Sequence, residues 1–252
     1  MKLLSKILAP AATFLFLLSL WQWLAALEIY PEYLFPSPLA VARGFAELFS
    51  SGDLWPYIGI SLLRFTGGYL GAALIALPLG LLLGRCAPIW GALDPLIQVL
   101  RPISPIAWFP LVSLWFGIGN LPAIVIIFLA AFYPILLATV AAVRNVPPLY
   151  LKVAENFGAS RRKTLWEVIV PAAFPQITVG LHIAIGSAWV FLVAGEMLGV
   201  RSGLGYLIID SRNNLRTDLV LVGIALIGIL GLLIDRLMGF GERWVKRQWG
   251  IA

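Results

Sequence analysis

Few side chains in this sequence are equipped for chemistry, and their types and spacing narrow what that chemistry can be. His182 is the sole histidine and Cys86 the sole cysteine, so zinc sites built on several histidines or cysteines, and an internal disulfide, are excluded. Ser187 follows His182 by five residues. On a helix that spacing sets them about 140° apart, so they do not face each other as nucleophile and base. The sequence holds no G-x-x-x-x-G-K-[ST] loop and no Gly-Lys pair, so it lacks the phosphate cradle of an ATPase. No catalytic set and no metal set emerges, and any ATP-driven role requires separate subunits.

What remains is charge in apolar surroundings. Glu196 falls near the end of one apolar stretch, and Arg64 and Arg101 fall in two others. Ionisable groups at such positions are costly and point to a pathway or a partner. Arg64 or Arg101 facing a cavity would attract an anion; the alternatives are a structural ion pair or a side chain reaching for the interface. A lone carboxylate would repel an anion, so Glu196 reads as structural or gating and paired with an arginine. Trp108, Phe109, Trp115 and Phe116 could line a translocation path or simply pack. Arg201, Arg212 and Arg216 could dock an acidic partner or form a solvated loop.

The elements that must position these groups are membrane spans. Of 252 residues, 61% are hydrophobic and 12% charged, with mean hydropathy +0.95. A soluble domain carries about 25% charged residues, so the chain reads as an all-α, polytopic membrane protein. Six apolar stretches are predicted as spans, at about 10–27, 57–84, 95–115, 121–143, 176–199 and 217–238. The first, roughly 18 residues, just crosses a bilayer core. It competes with a cleavable signal peptide, and its length and the want of a small-x-small site favour a retained span. Leu39, Ala42, Phe45 and Phe49 recur at helical spacing after Ser37-Pro38, predicting a short amphipathic helix at the interface or packed on the spans. Gly67/Gly71 and Gly80/Gly84 have the spacing that lets helices approach closely. Pro102, Pro105, Pro110, Pro122 and Pro134 interrupt the third and fourth spans, which is tolerated where protein or a water-filled cavity satisfies the freed carbonyls. Trp244 and Trp249 read as interface anchors in a basic amphipathic tail. No second domain is predicted.

Orientation follows from the cations. With six spans the termini share a side, and that side carries Lys2, Lys6, Arg85, Arg144, Lys152, Arg161, Arg162, Lys163, Arg236, Arg243, Lys246 and Arg247. The other carries Arg43, Arg201, Arg212 and Arg216. Twelve against four, with Arg64 and Arg101 within spans, completes the 18 and predicts cytoplasmic termini. The net charge of +6 therefore reflects membrane topology and not nucleic-acid binding.

The longest charged run is PPLYLKVAENFGASRRKTLWEVIVPAAFP, residues 147–175. Pro147 and Pro148 suit a first helical turn, and Gly158 suits a left-handed stop. Ser160 can cap a second helix, which Pro171 is expected to end. By its residues alone this hairpin is either a docking element or a basic connecting loop.

The run resembles the coupling loop of binding-protein-dependent ABC importer permeases, whose loose pattern is EAA, three residues, Gly, nine residues, Ile, one residue, Leu-Pro. With Gly158 on the glycine, Lys152, Val153 and Ala154 fall on EAA, and Val168, Val170 and Pro171 on Ile, Leu and Pro. Ala154, Gly158 and Pro171 match identically; the family's glutamate is Lys152 here. FPSP at 35–38, RPISPIAWFPLVSLWFGIG at 101–119, VAGEMLG at 193–199 and GLGYLI at 203–208 extend the similarity, in particular to the nitrate, sulfonate and taurine branch, with bicarbonate nearby.

The resemblance implies a permease subunit of a bacterial inner membrane that pairs with a second copy and forms the path for a small, anionic solute. ATP and Mg would be bound by partner ATPase subunits, the chain itself holding no cofactor. An external (periplasmic) solute-binding protein would deliver the solute. Lys152, Ala154, Glu155, Gly158, Ala159, Ser160 and Pro171 would form the ATPase-coupling element, and Arg64, Arg101, Trp108, Phe109 and Glu196 the path. An ion-coupled carrier or channel, or a membrane scaffold, is the alternative reading.

Overall fold

The computed structural model describes residues 2–248. The side chains of Lys2 and Lys6, counted above for orientation, and the anchor Trp249 lie outside the described residues. Every regular element among the described residues is helical. The helices are α1 Lys2–Ala26, α2 Pro38–Ser51, α3 Leu54–Arg85, α4 Ala87–Leu100, α5 Phe109–Phe116, α6 Asn120–Arg144, α7 Pro148–Asn156, α8 Arg161–Thr164, α9 Val170–Gly199, α10 Leu204–Asn213 and α11 Thr217–Gln248. Four runs are long and apolar enough to cross a membrane: α3, α6, α8 through α9, and α11. The segment expected as one span at 95–115 is a pair, α4 and the stretch Pro105–Phe116, bent by 83°. Pro102 and Pro105 lie at that break, where a proline removes a helical donor and restricts the residue before it. The chain divides into two units, residues 61–201 with 229–252, and residues 1–60 with 202–228.

In the larger unit α6 is the central helix. Ala123, Ile126, Ile127, Ala131, Ile135 and Leu136 on it are at most 1% exposed. Lipid tails are as apolar as leucine, so helices here are held by close packing rather than by escape from water. Small residues supply that closeness. A Cβ on Gly80 would lie 2.6 Å from Thr139 Cβ, one on Gly84 2.6 Å from Val143 Cβ, and one on Gly68 2.6 Å from Ile127 Cβ. Gly80 and Gly84 thus do what their spacing predicts. At the other end of α3 the close approach belongs to Gly68, because Gly67 and Gly71 make only ordinary contacts, 3.9 and 3.7 Å, with Ile124 and Phe128. Gly180 of α9 seats the Ala138 methyl of α6. The Tyr69 hydroxyl of α3 donates to the Leu181 carbonyl at 3.2 Å, and Gly231 of α11 lies against the Trp189 indole.

In the smaller unit Ser37 caps α2, its hydroxyl accepting from the Ala40 amide at 3.1 Å, with Pro38 in the first turn and left-handed Gly52 (φ 82°) ending the helix. Gly44 and Leu48 are its buried residues, and a Cβ on Gly44 would meet Leu219 Cδ2 at 2.9 Å. The stripe Leu39, Ala42, Phe45 and Phe49 is exposed, with Phe49 edge-on to Trp55 at 6.1 Å. The helix packs inward by its small face and turns its apolar stripe out, as a helix at a lipid boundary does. Trp21 Nε1 donates to the Pro36 carbonyl at 3.1 Å, and the Thr217 hydroxyl donates to the Tyr33 carbonyl. These bonds tie the segment 27–37 to α1 and to the start of α11.

Candidate functional site: an exposed helical hairpin and a buried ion pair

The hairpin of residues 147–164 is built from local signals. The Gly158 amide donates to the Glu155 carbonyl and the Ala159 amide to the Ala154 carbonyl, both at 2.9 Å. With φ +68° at Gly158 this is the paired i+3 and i+5 closure of a glycine helix stop. The Ser160 hydroxyl accepts from the Lys163 amide at 3.3 Å, capping α8. Ala154 is the buried residue of α7, whereas Lys152, Glu155, Gly158 and Ser160 are exposed. The outward side is apolar: Phe157 is 87% exposed, with Leu149 and Tyr150 also exposed. Beside them Ala154, Gly158, Ala159 and Ser160 line a groove of about 600 Å³. An exposed apolar side chain next to a groove is what a partner helix or sheet covers.

Pro171 does not end the second helix. The helix runs from Arg161 to Gly199 through a widened π turn at Leu165–Ile169, where the Val170 amide reaches back to the Leu165 carbonyl. A proline clashes with the carbonyl four residues earlier, and a widened turn directly ahead of it moves that carbonyl aside. The helix therefore begins well before the predicted start at 176 and passes through both Pro171 and Pro175.

The buried charges meet. Arg64 of α3 and Glu196 of α9 are 1% and 0% exposed at their side chains, and Arg64 Nη1 stands 2.7 Å from Glu196 Oε1. The Ser61 hydroxyl lies 2.8 and 2.9 Å from the two carboxylate oxygens. Arg64 Nε and Nη2 donate to Asn120 Oδ1 at 3.0 and 2.7 Å. Three helices, α3, α6 and α9, are thus joined by one polar cluster in which the charges and their hydrogen-bonding capacity are met together, as a buried pair requires. Ser61 and Asn120 were not singled out in the sequence; a polar residue in the first turn of an apolar span, as Asn120 is, was the available signal. Gly195 and Gly199 beside Glu196 let α9 approach: Ala123 lies under Gly195, and the Phe109 ring occupies the space above Gly199.

Arg101 is elsewhere. It caps α4 at the bend before Pro105 and is exposed, while Trp108 and Phe109 are half-buried just beyond that bend. In the smaller unit Arg216 is occupied rather than free. Its Nη2 stands 2.7 Å from Glu47 Oε2 and 2.9 Å from Asp218 Oδ2. The hydrogen bond and the charge of Arg216 hold the Glu47 carboxyl below its usual range. The bonds that Arg216 donates to Asp218 and Glu47 in turn push its guanidinium up. Arg212 and Arg201 are exposed. Among the described residues no group of three or more metal-ligating side chains converges.

Residues 76–247 match the family model described as "Binding-protein-dependent transport system inner membrane component". The chain is 35% identical over 237 residues to the taurine transport system permease protein TauC of Escherichia coli K12, covering 92% of this chain and 85% of that protein. To the nitrate import permease protein NrtB of Leptolyngbya laminosa it is 35% identical over 249 residues, covering 95% and 88%. Among solved structures it resembles an inward-facing form of the MetNI methionine ABC transporter with TM-score 0.59 at 19% identity, covering 78% of this chain and 94% of that one. That last likeness is one of fold.

Proposed function

Because the chain belongs to the family of inner-membrane components of binding-protein-dependent transport systems, we propose that it is the permease subunit of an ATP-driven importer of a small anion. The solute class is that of its relatives, the taurine and nitrate permeases, with sulfonates and bicarbonate of the same chemistry. The single observation that carries the mechanism is the exposed hairpin. A rigid glycine stop at Gly158 presents Phe157, Leu149 and Tyr150 beside a groove, which suits docking into a cytoplasmic ATPase subunit.

In this reading α1, α3, the bent α4–α5 pair, α6, α8–α9 and α11 are six spans with both termini in the cytoplasm. A second copy completes the translocation path, an external binding protein delivers the solute, and the ATPase subunits hold ATP and Mg. Lys152, Ala154, Glu155, Ala159, Ser160 and Pro171 support the docked hairpin. ATP-driven closure of the ATPase dimer moves it, and because α8 continues without a break into α9, the motion is delivered directly to a span. ATP shifts the balance between inward and outward access only through its differential affinity for the two states. Arg101, Trp108 and Phe109, at the bend of the third span, are placed to line the path. Arg64 is neutralised by Glu196 at 2.7 Å and holds helices together. That pairing also argues against an ion-coupled carrier, for which Glu196 would have to be free to load an ion.

The test is uptake by the complex reconstituted with its ATPase subunits and binding protein. Gly158→Asp should assemble and hydrolyse ATP but lose solute uptake. Normal uptake by that variant would overturn the coupling role.

A further inference from the structure

A cleft of about 960 Å³ in the larger unit takes no part in the transport mechanism proposed above. It lies between the last turns of α3 and the run α8–α9. Its wall is apolar, formed by Leu77 and Leu81 of α3 and by Leu165, Trp166, Phe174 and Leu181 of the other helix. Arg85, Arg161 and Arg162 also line it. Arg85 is the last residue of α3, and Arg161 and Arg162 are the first two of α8. These helices run antiparallel, since Tyr69 bonds to Leu181 while Arg85 shares the cleft with Arg161. All three guanidiniums therefore stand at one end. The apolar wall runs away from them along both helices, over eight residues or about 12 Å on α3 alone. Arg85, Arg161 and Arg162 are exposed, and none makes an ion pair among the described residues.

We infer that this cleft is a binding site for an anionic phospholipid, its phosphate held by Arg85, Arg161 and Arg162 and an acyl chain laid along the leucine, tryptophan and phenylalanine wall. Charge and shape select this occupant. Three unpaired guanidiniums match a phosphate, and arginine binds phosphate oxygens by paired N–H donors. A small hydrophilic anion would satisfy the arginines but gain nothing from the apolar wall. A zwitterionic lipid would fill the wall but bring its own cation to the arginines. Basic pockets between spans on the cytoplasmic side are suited to anionic headgroups. The inference rests on the cytoplasmic placement of this end in the proposed topology. It adds that the root of the coupling hairpin, where α8 passes into α9, is also a lipid-sensing point.

The indole of Trp166, 57% exposed, is a built-in reporter. The purified complex is reconstituted in vesicles containing either brominated phosphatidylglycerol or brominated phosphatidylcholine. Fluorescence quenching of Trp166 is taken as the difference between the wild-type chain and Trp166→Phe. Quenching by the anionic lipid should exceed that by the zwitterionic one. Each single neutralisation, Arg85→Gln, Arg161→Gln or Arg162→Gln, should cut that preference by about five-fold. Inorganic phosphate should not compete. Equal quenching by the two lipids would mean an ordinary lipid-facing wall, and no quenching by either would mean that a second copy or another protein covers the cleft. Loss of the preference on adding inorganic phosphate would mean a free-anion site. Any of these three overturns the inference. Brominated lipid is present in both leaflets, so this readout does not depend on sidedness. Topology is read separately, from impermeant maleimide labelling of Phe157→Cys in a Cys86→Ser chain expressed without the ATPase subunits, which should occur only from the cytoplasmic face.

Discussion

Removing one partner of the Arg64–Glu196 pair should cost far more than removing both. Arg64 and Glu196 are 1% and 0% exposed, with 2.7 Å between nitrogen and oxygen. Ser61 and Asn120 complete the cluster. Truncating either charged residue leaves the other ionised in an apolar site, a loss of about 3–5 kcal/mol. For a chain of this size that corresponds to a fall in melting temperature on the order of 10 °C. Replacing both with apolar residues of similar volume, Arg64→Met with Glu196→Leu, removes the desolvation cost together with the attraction and should be close to neutral. The assay is thermal unfolding of the purified protein in one detergent, for wild type, Arg64→Met, Glu196→Leu and the double variant. The cycle should give a coupling energy equal to the two single losses together, about 6 kcal/mol or more. Additive losses in the double variant would refute the reasoning, because they would show that each side chain is stabilised by packing and not by the other's charge. Ser61→Ala is the graded control: the carboxylate keeps Arg64, and the cost should be that of one hydrogen bond to a charged group, about 1.5–3 kcal/mol.

Three further outcomes are expected. Gly84→Leu places a Cβ 2.6 Å from Val143 Cβ and should destabilise by about 1–3 kcal/mol through overpacking; Gly59→Ala, with nothing within 4 Å of its Cβ, should be neutral or stabilising in the same unfolding assay. The Glu47–Arg216 bridge has a pH signature. Glu47 titrates below its usual 4.5 when folded, so its contribution is present above that value and is lost as pH falls below it and through the folded value. Hydrogen exchange across residues 38–51 should accelerate in that acid range and with added salt, because the pair is exposed, and Glu47→Gln should reduce the pH dependence, the remainder belonging to the Asp218–Arg216 pair. Ser160→Ala deletes the cap on the Lys163 amide and should cost about 1 kcal/mol, read as faster exchange in residues 160–164 with the spans unchanged.

What could be read from the sequence was whatever the chain decides locally. The stop at Gly158 and the cap at Ser160 depend on residues within five positions, and both bonds form as expected. Four of the spans, α3, α6, α9 and α11, were legible for the same reason, since length and hydropathy are local quantities. Pro171 shows the limit of that reasoning. A proline rule weighs the missing donor and the ring clash, but not whether the preceding turn can widen. Here the turn at Leu165–Ile169 does widen, and the helix continues. The stripe on α2 shows another limit. In a soluble protein Leu39, Phe45 and Phe49 would mark the core face; beside lipid an apolar face need not be covered by protein, and the buried face is the small one at Gly44 and Leu48.

The buried cluster lies between these cases. A lone carboxylate in an apolar helix has so high a desolvation cost that an arginine partner for Glu196 was foreseeable from one residue. Which arginine was not, because Arg64 is 132 positions away and Arg101 was equally available by composition. The choice is made by packing. Small residues at Gly68, Gly80 and Gly84 draw α3 onto α6, and Gly180 and Gly195 draw α9 onto the same helix. With α3 and α9 both held on α6, Arg64 and Glu196 come within reach of each other. Arg101 is left exposed at the bend after α4 and takes no part in the cluster. Close-packed glycines, of which spacing had marked only Gly80 and Gly84, therefore settle the electrostatics. A substitution at Gly68 that spread α3 from α6 should loosen the Arg64–Asn120 bonds before it affects any residue of the 147–164 hairpin.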